Sequence, residues 1–111
     1  MRALFPRINM IGIILCCFVL TCAANGQSEA AKTFNTNCAM CHAANGSGDT
    51  APGKALKAKD LRSDEVQKQS DAALTEVIGK GKGKMPAFAA KIQPDDMKKI
   101  VAYVRELAKQ K

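Results

Sequence analysis

The stretch CAMCH, residues 38–42, places two thiols and the only histidine of the chain within one helical turn's length. Residues three apart share a face of such a turn, so one partner can reach Cys38 and Cys41 together. An imidazole directly after the second thiol narrows that partner's chemistry further. Whatever engages all three residues must lie against this turn, and the rest of the fold has to be built around it.

The compartment comes from the N-terminus. Met1 to Arg7 carries two arginines and no acid, Ile8 to Leu20 is apolar apart from Asn9, and small residues follow from Thr21 to Gly26. That order is the order of a secretory signal peptide. The apolar run is shorter than the roughly 20 residues of a membrane-spanning helix. Residues 1–26 are therefore read as a leader cleaved near 24–26, and 27–111 as one small domain that is periplasmic or otherwise exported, with no transmembrane span. Cys16 and Cys17 leave with the leader. An alternative keeps Cys22 as a lipid-bearing terminus, because VLTC loosely resembles a bacterial lipobox. The formal charge of +7 falls to +5 once Arg2 and Arg7 are removed. Such a balance points to an acidic partner or an anionic surface.

Along the domain every periodic signal is helical, so the chain reads as all-α. Residues 28 to about 38 suit a short helix capped by Ser28, with Ala30, Ala31 and Phe34 on its apolar face. Residues 43–53 are rich in Gly, Asn, Ser and Pro and read as a loop. Ser63 and Ser70 each stand before an acid, as helix caps do, over 63–69 and 70–81. Gly79 or Gly81 would stop the second of these helices. Residues 80–88, KGKGKMPAF, suit no regular element. Pro94 opens the clearest helix, with Met97, Ile100, Val101, Val104, Leu107 and Ala108 along one face. Long loops in so small a domain have little regular structure to pack on, and a large apolar cofactor would resolve this.

Four chemistries compete for Cys38, Cys41 and His42. A redox dithiol belongs beside a βαβ unit, and no strand pattern is present. A structural zinc needs four ligands, and His42 follows Cys41 too closely for the usual spacing. A plain disulfide leaves the histidine without a purpose. C-x-x-C-H as the attachment site of haem c uses all three residues: the thiols of Cys38 and Cys41 add to two vinyl groups, and His42 supplies an axial nitrogen. The second axial ligand follows by elimination. No other histidine exists, Met40 is held inside the motif, and Met97 reads as helix core. Met85 remains, in a glycine-rich loop stiffened by Pro86.

CAMCH, KMPAF and the terminal DDMKKIVAYVREL together resemble a class I c-type cytochrome of the small bacterial, monohaem, His/Met-ligated kind, over nearly all of 28–111. The resemblance implies about three to five short helices and loops around one covalently attached haem c, with the first and last helices crossing. Phe34 matches the aromatic position of that crossing, Ile100 and Tyr103 its partners, and Ala30 stands where the family often has glycine. Family members often hold the axial histidine through a proline carbonyl. Pro52 is the nearest proline, and some carbonyl within 45–55 is expected to serve.

The implied function is one-electron transfer between redox partners, by a monomer and not an enzyme. Lys80, Lys82 and Lys84 flank the methionine, and Lys54, Lys57 and Lys59 lie in the segment expected to cover the haem. A positive ring there would steer a partner with an acidic docking surface. Nucleic acid is excluded as a partner, since no aromatic platform interleaves the basic residues. Two other readings keep the same residues: a haem sensor or weak peroxidase with a labile Met85, and an exported disulfide protein without haem.

Overall fold

The computed structural model describes residues 21–111, with side chains from Glu29 onward. The leader expected over 1–26 lies outside the described residues as far as residue 20, and so does the side chain of Cys22. Six helices follow in order: α1 Thr21–Asn37, α2 Ala39–His42, α3 Ala51–Leu56, α4 Asp64–Gln67, α5 Asp71–Lys80 and α6 Pro94–Lys109. Two of them, α2 and α4, are single turns of four residues. The domain is all-α, as its periodicity predicts.

The caps are chemical. The Ser63 hydroxyl accepts from the Val66 N–H and the Ser70 hydroxyl from the Ala73 N–H, each satisfying one donor that a helix start leaves open. Gly81 ends α5 at φ 75°, a left-handed value that glycine adopts without strain. Two expectations are corrected. Ser28 is not a cap, because α1 runs unbroken from Thr21 through it, and a serine inside a helix has no open first-turn N–H to serve. Residues 51–53 are not loop but the first turn of α3. There Thr50 accepts from the Gly53 N–H, and a proline sits in the first turn, where its missing N–H does no harm.

One apolar cluster joins these pieces. Phe34 from α1, Ile78 from α5, Ile92 from the following loop, and Met97, Ile100, Val101, Val104 and Leu107 from α6 form it. The first and last described helices cross at Phe34 and Tyr103, whose rings meet edge to face with centroids 5.3 Å apart. Ala30, 4 % exposed on α1, and Ile100, 1 % exposed on α6, are both buried.

Arg105 ties α6 to the α4–α5 junction. Its guanidinium donates to the Gln67 carbonyl at 3.0 Å, the Gln69 carbonyl at 2.6 Å and the Asp71 carboxylate at 2.8 Å. A planar fork can serve several acceptors at once, which a lysine ammonium cannot do in one plane.

Candidate functional site

The motif is a single turn grown from the end of α1. The Cys38 N–H bonds to the Phe34 carbonyl at 2.8 Å, and the His42 N–H to the Cys38 carbonyl at 2.9 Å. Ala43, at φ 62°, then turns the chain outward. Cys38, Cys41 and His42 are thereby brought onto one turn, and both thiols are free and half-buried. Burial pushes the Cys38 thiol up from 9.0 to about 11. A thiol held neutral in this way is a poor thiolate nucleophile, whereas a neutral thioether loses nothing in the same surroundings. Among the described residues, no three His, Cys, Asp or Glu side chains gather as a metal cage.

Two contacts fasten the turn from below. The Thr50 hydroxyl donates to the Met40 carbonyl at 2.8 Å while accepting from the Gly53 N–H at 2.9 Å. Gly53 lies so close beneath the motif that a Cβ there would collide with the carbonyls of Cys41 and Gly48. Only glycine permits that approach.

The imidazole is oriented by backbone. His42 Nδ1 donates to the Lys59 carbonyl at 3.0 Å. This corrects the expected window of 45–55. Pro52 is an exposed residue in the first turn of α3, and the chain must leave that helix, through Lys57 in a left-handed conformation at φ 56°, before it returns to the histidine.

Met85 stands in a short turn. The Lys82 N–H bonds to the Met85 carbonyl at 3.2 Å and the Met85 N–H to the Lys82 carbonyl at 3.0 Å. Gly83, at φ 58°, supplies the positive dihedral that a tight turn requires. The Met85 side chain is half-buried against the same apolar cluster that Cys38 touches. Met97 is core, as its spacing predicts.

The six lysines are all exposed. Three have partners within the chain: Lys54 with Asp49 at 2.8 Å, Lys59 with Glu65 at 2.9 Å, and Lys80 with Glu76 at 2.7 Å. The Glu65 carboxyl is held below its ordinary range by its bond to Lys59 first and by nearby Lys82 as well. A cleft of about 720 Å³ between α5 and the start of α6, lined by Thr75, Gly79, Ala89 and Met97 among others, includes none of the motif residues or Met85.

Helices around a C-x-x-C-H turn, with a carbonyl-bonded histidine and a loop methionine, define a c-type cytochrome. Comparison agrees: residues 25–104 match the family described as cytochrome C oxidase, cbb3-type, subunit III. Cytochrome c6 of Synechocystis sp. is 34 % identical, over 97 % of this chain and 97 % of its own. Cytochrome c6 of Nostoc sp. is 32 % identical, over 94 % and 92 %. The solved KustC0563 c-type cytochrome superposes with a TM-score of 0.65 at 31 % identity, covering 70 % of this chain and 95 % of that one. The chain belongs to the class I c-type cytochromes. Its cofactor is one covalently attached haem c, and it is an electron-transfer protein, not an enzyme. Among the described residues, no helix is long and apolar enough to cross a membrane.

Proposed function

We propose that Cys38 and Cys41 hold the haem through thioether bonds, each adding its S–H across a vinyl group, and that His42 and Met85 are the axial ligands. The observation that carries this reading is the His42–Lys59 bond. A carbonyl only accepts, so Nδ1 carries a ring proton and Nε2 is the nitrogen left to reach iron. The donor set fits the cofactor: two thiols on one face, one imidazole engaged through Nδ1, and one thioether on a turn that projects it from backbone tied at both ends.

When bound, haem supplies a one-electron iron couple. The residues decide how it is used. With His42 and Met85 both holding the haem iron, no position would be left for oxygen or a substrate. The Met85 thioether, a soft donor, would favour ferrous iron and raise the potential. The His42 bond to Lys59 makes the imidazole a stronger donor and fixes its orientation.

The same reading extends outward. Residues 1–26 act as an export signal, and 27–111 work as a monomer outside the cytoplasm. Lys57, Lys82 and Lys84 form the core of a basic surface for an acidic redox partner. No carboxylate among the described residues pairs with any of these three, unlike Lys54, Lys59 and Lys80.

The test is expression with a haem-attachment system, followed by a visible spectrum of the denatured protein. Haem should stay with the wild-type chain and be lost from the Cys38→Ala, Cys41→Ala double variant. Haem that is extractable from the wild type would end the proposal.

A further inference from the structure

The carbonyl on His42 belongs to a strap, Lys59 to Arg62, that other residues hold in place. The Leu61 N–H bonds to the Gly46 carbonyl at 2.7 Å, and the Leu61 carbonyl accepts from Gln67 Nε2 at 2.7 Å. Gln67 Oε1 in turn accepts from Arg105 Nη1 at 3.2 Å. This assignment of the amide is the one that satisfies both ends. Reversing it would set oxygen against the Leu61 carbonyl and nitrogen against the guanidinium. Within the strap, the Asp60 carboxylate accepts from the Arg62 N–H at 2.9 Å, Nε at 3.0 Å and Nη2 at 3.1 Å, bracketing the turn from inside. The result is a continuous run of bonds: α6 to Gln67, Gln67 to the strap, and the strap to the axial histidine.

We propose that Gln67 and Arg105 are positioning residues for His42, setting through the strap how firmly the Lys59 carbonyl accepts from the ring. This rests on the reading of His42 as an axial ligand. The strap has no helix or sheet of its own to hold Lys59, so its position depends on these outside anchors. A carbonyl that moves away weakens the Nδ1–H bond, and the imidazole becomes a poorer donor to iron. Poorer donation disfavours the ferric state, so the midpoint potential rises.

The experiment uses haem-loaded full chains of Gln67→Met, Arg105→Lys and a control, Met97→Ala. The first keeps length without hydrogen bonding, and the second keeps charge without the fork. The control loosens core packing between α5 and α6 away from the strap. NMR follows exchange of the His42 ring N–H, and redox titration follows the potential. Gln67→Met and Arg105→Lys should exchange that proton about tenfold faster, as loss of one hydrogen bond's support implies. Both should titrate at a higher potential. Met97→Ala should melt earlier with neither change. A wild-type signal that neither variant moves, or one that Met97→Ala moves equally, overturns the relay while leaving the ligand intact. Absence of an iron-bound His42 ring in the wild type overturns the ligand assignment, and the relay with it.

Discussion

Met85, the proposed second ligand, is presented on very little backbone. Its amide and its carbonyl both bond to Lys82, so the turn 82–85 presents the side chain as a closed unit. Met85→Ala should retain covalent haem, lower the midpoint potential and admit cyanide to the iron. Redox titration and cyanide difference spectra measure this, and an unchanged ferric spectrum would remove Met85 from the site. Asp60 offers a pH test within the strap that accepts from His42. Its carboxyl is held below 3.8, chiefly by the hydrogen bond from the Arg62 side chain. A depressed folded-state pKa contributes stability above the unfolded value, and that contribution is lost as pH falls through the folded one. Asp60→Asn should therefore flatten the acid limb of a stability-against-pH curve below about pH 4. Acid melts of the two proteins that run parallel there would show that the bracket is not coupled to folding.

The elements explain what could be read from sequence and what could not. Ser63, Ser70, Gly81 and the Pro94 start were legible because each acts within one turn of its own position. The stripe along α6 was legible for the same reason, and so was the motif. The start of α3 was read as loop because Gly and Pro dominate its composition, although Thr50 before a first-turn proline is itself a start signal. The Lys59 carbonyl and the Arg105 fork were not legible. Their bonds span 17 and 38 residues and use backbone oxygens that every residue carries, so no side-chain type announces them. The crossing of α1 and α6 lies between these cases: its aromatic pair was assigned by resemblance and is met in the fold. Phe34→Ala should destabilise by about 3–5 kcal/mol as a large-to-small core change. Tyr103, half-buried, should lose less. Chemical denaturation of the double variant should reveal a coupling of about 0.5–1.5 kcal/mol for the edge-to-face pair. Strict additivity would mean that the rings merely adjoin.

At the scale of the whole molecule, net charge is a poor guide to docking. Lys54, Lys59 and Lys80 each face an acid within the chain, which reduces the field they offer a partner. Lys82→Glu with Lys84→Glu should slow electron transfer to the physiological partner by about tenfold or more at low salt. Near 1 M salt, where the screening length is roughly 3 Å, the difference should vanish. Lys109→Glu with Lys111→Glu, at the end of α6, changes net charge equally and should matter less. Equal losses in stopped-flow kinetics would show that only total charge counts.

Gly53 carries a consequence for anyone mapping this protein genetically. Its backbone lies where a side chain would drive apart the carbonyls of Cys41 and Gly48. Gly53→Ala should then give cells whose cytochrome stains weakly for haem, the same phenotype as losing a cysteine. A screen scored by colour would file that position with the attachment residues, although glycine donates nothing to iron or porphyrin. Compensation would separate the two classes: a second change that lowers the loop beneath Cys41 can restore colour to Gly53→Ala, and no second change can restore a missing thiol.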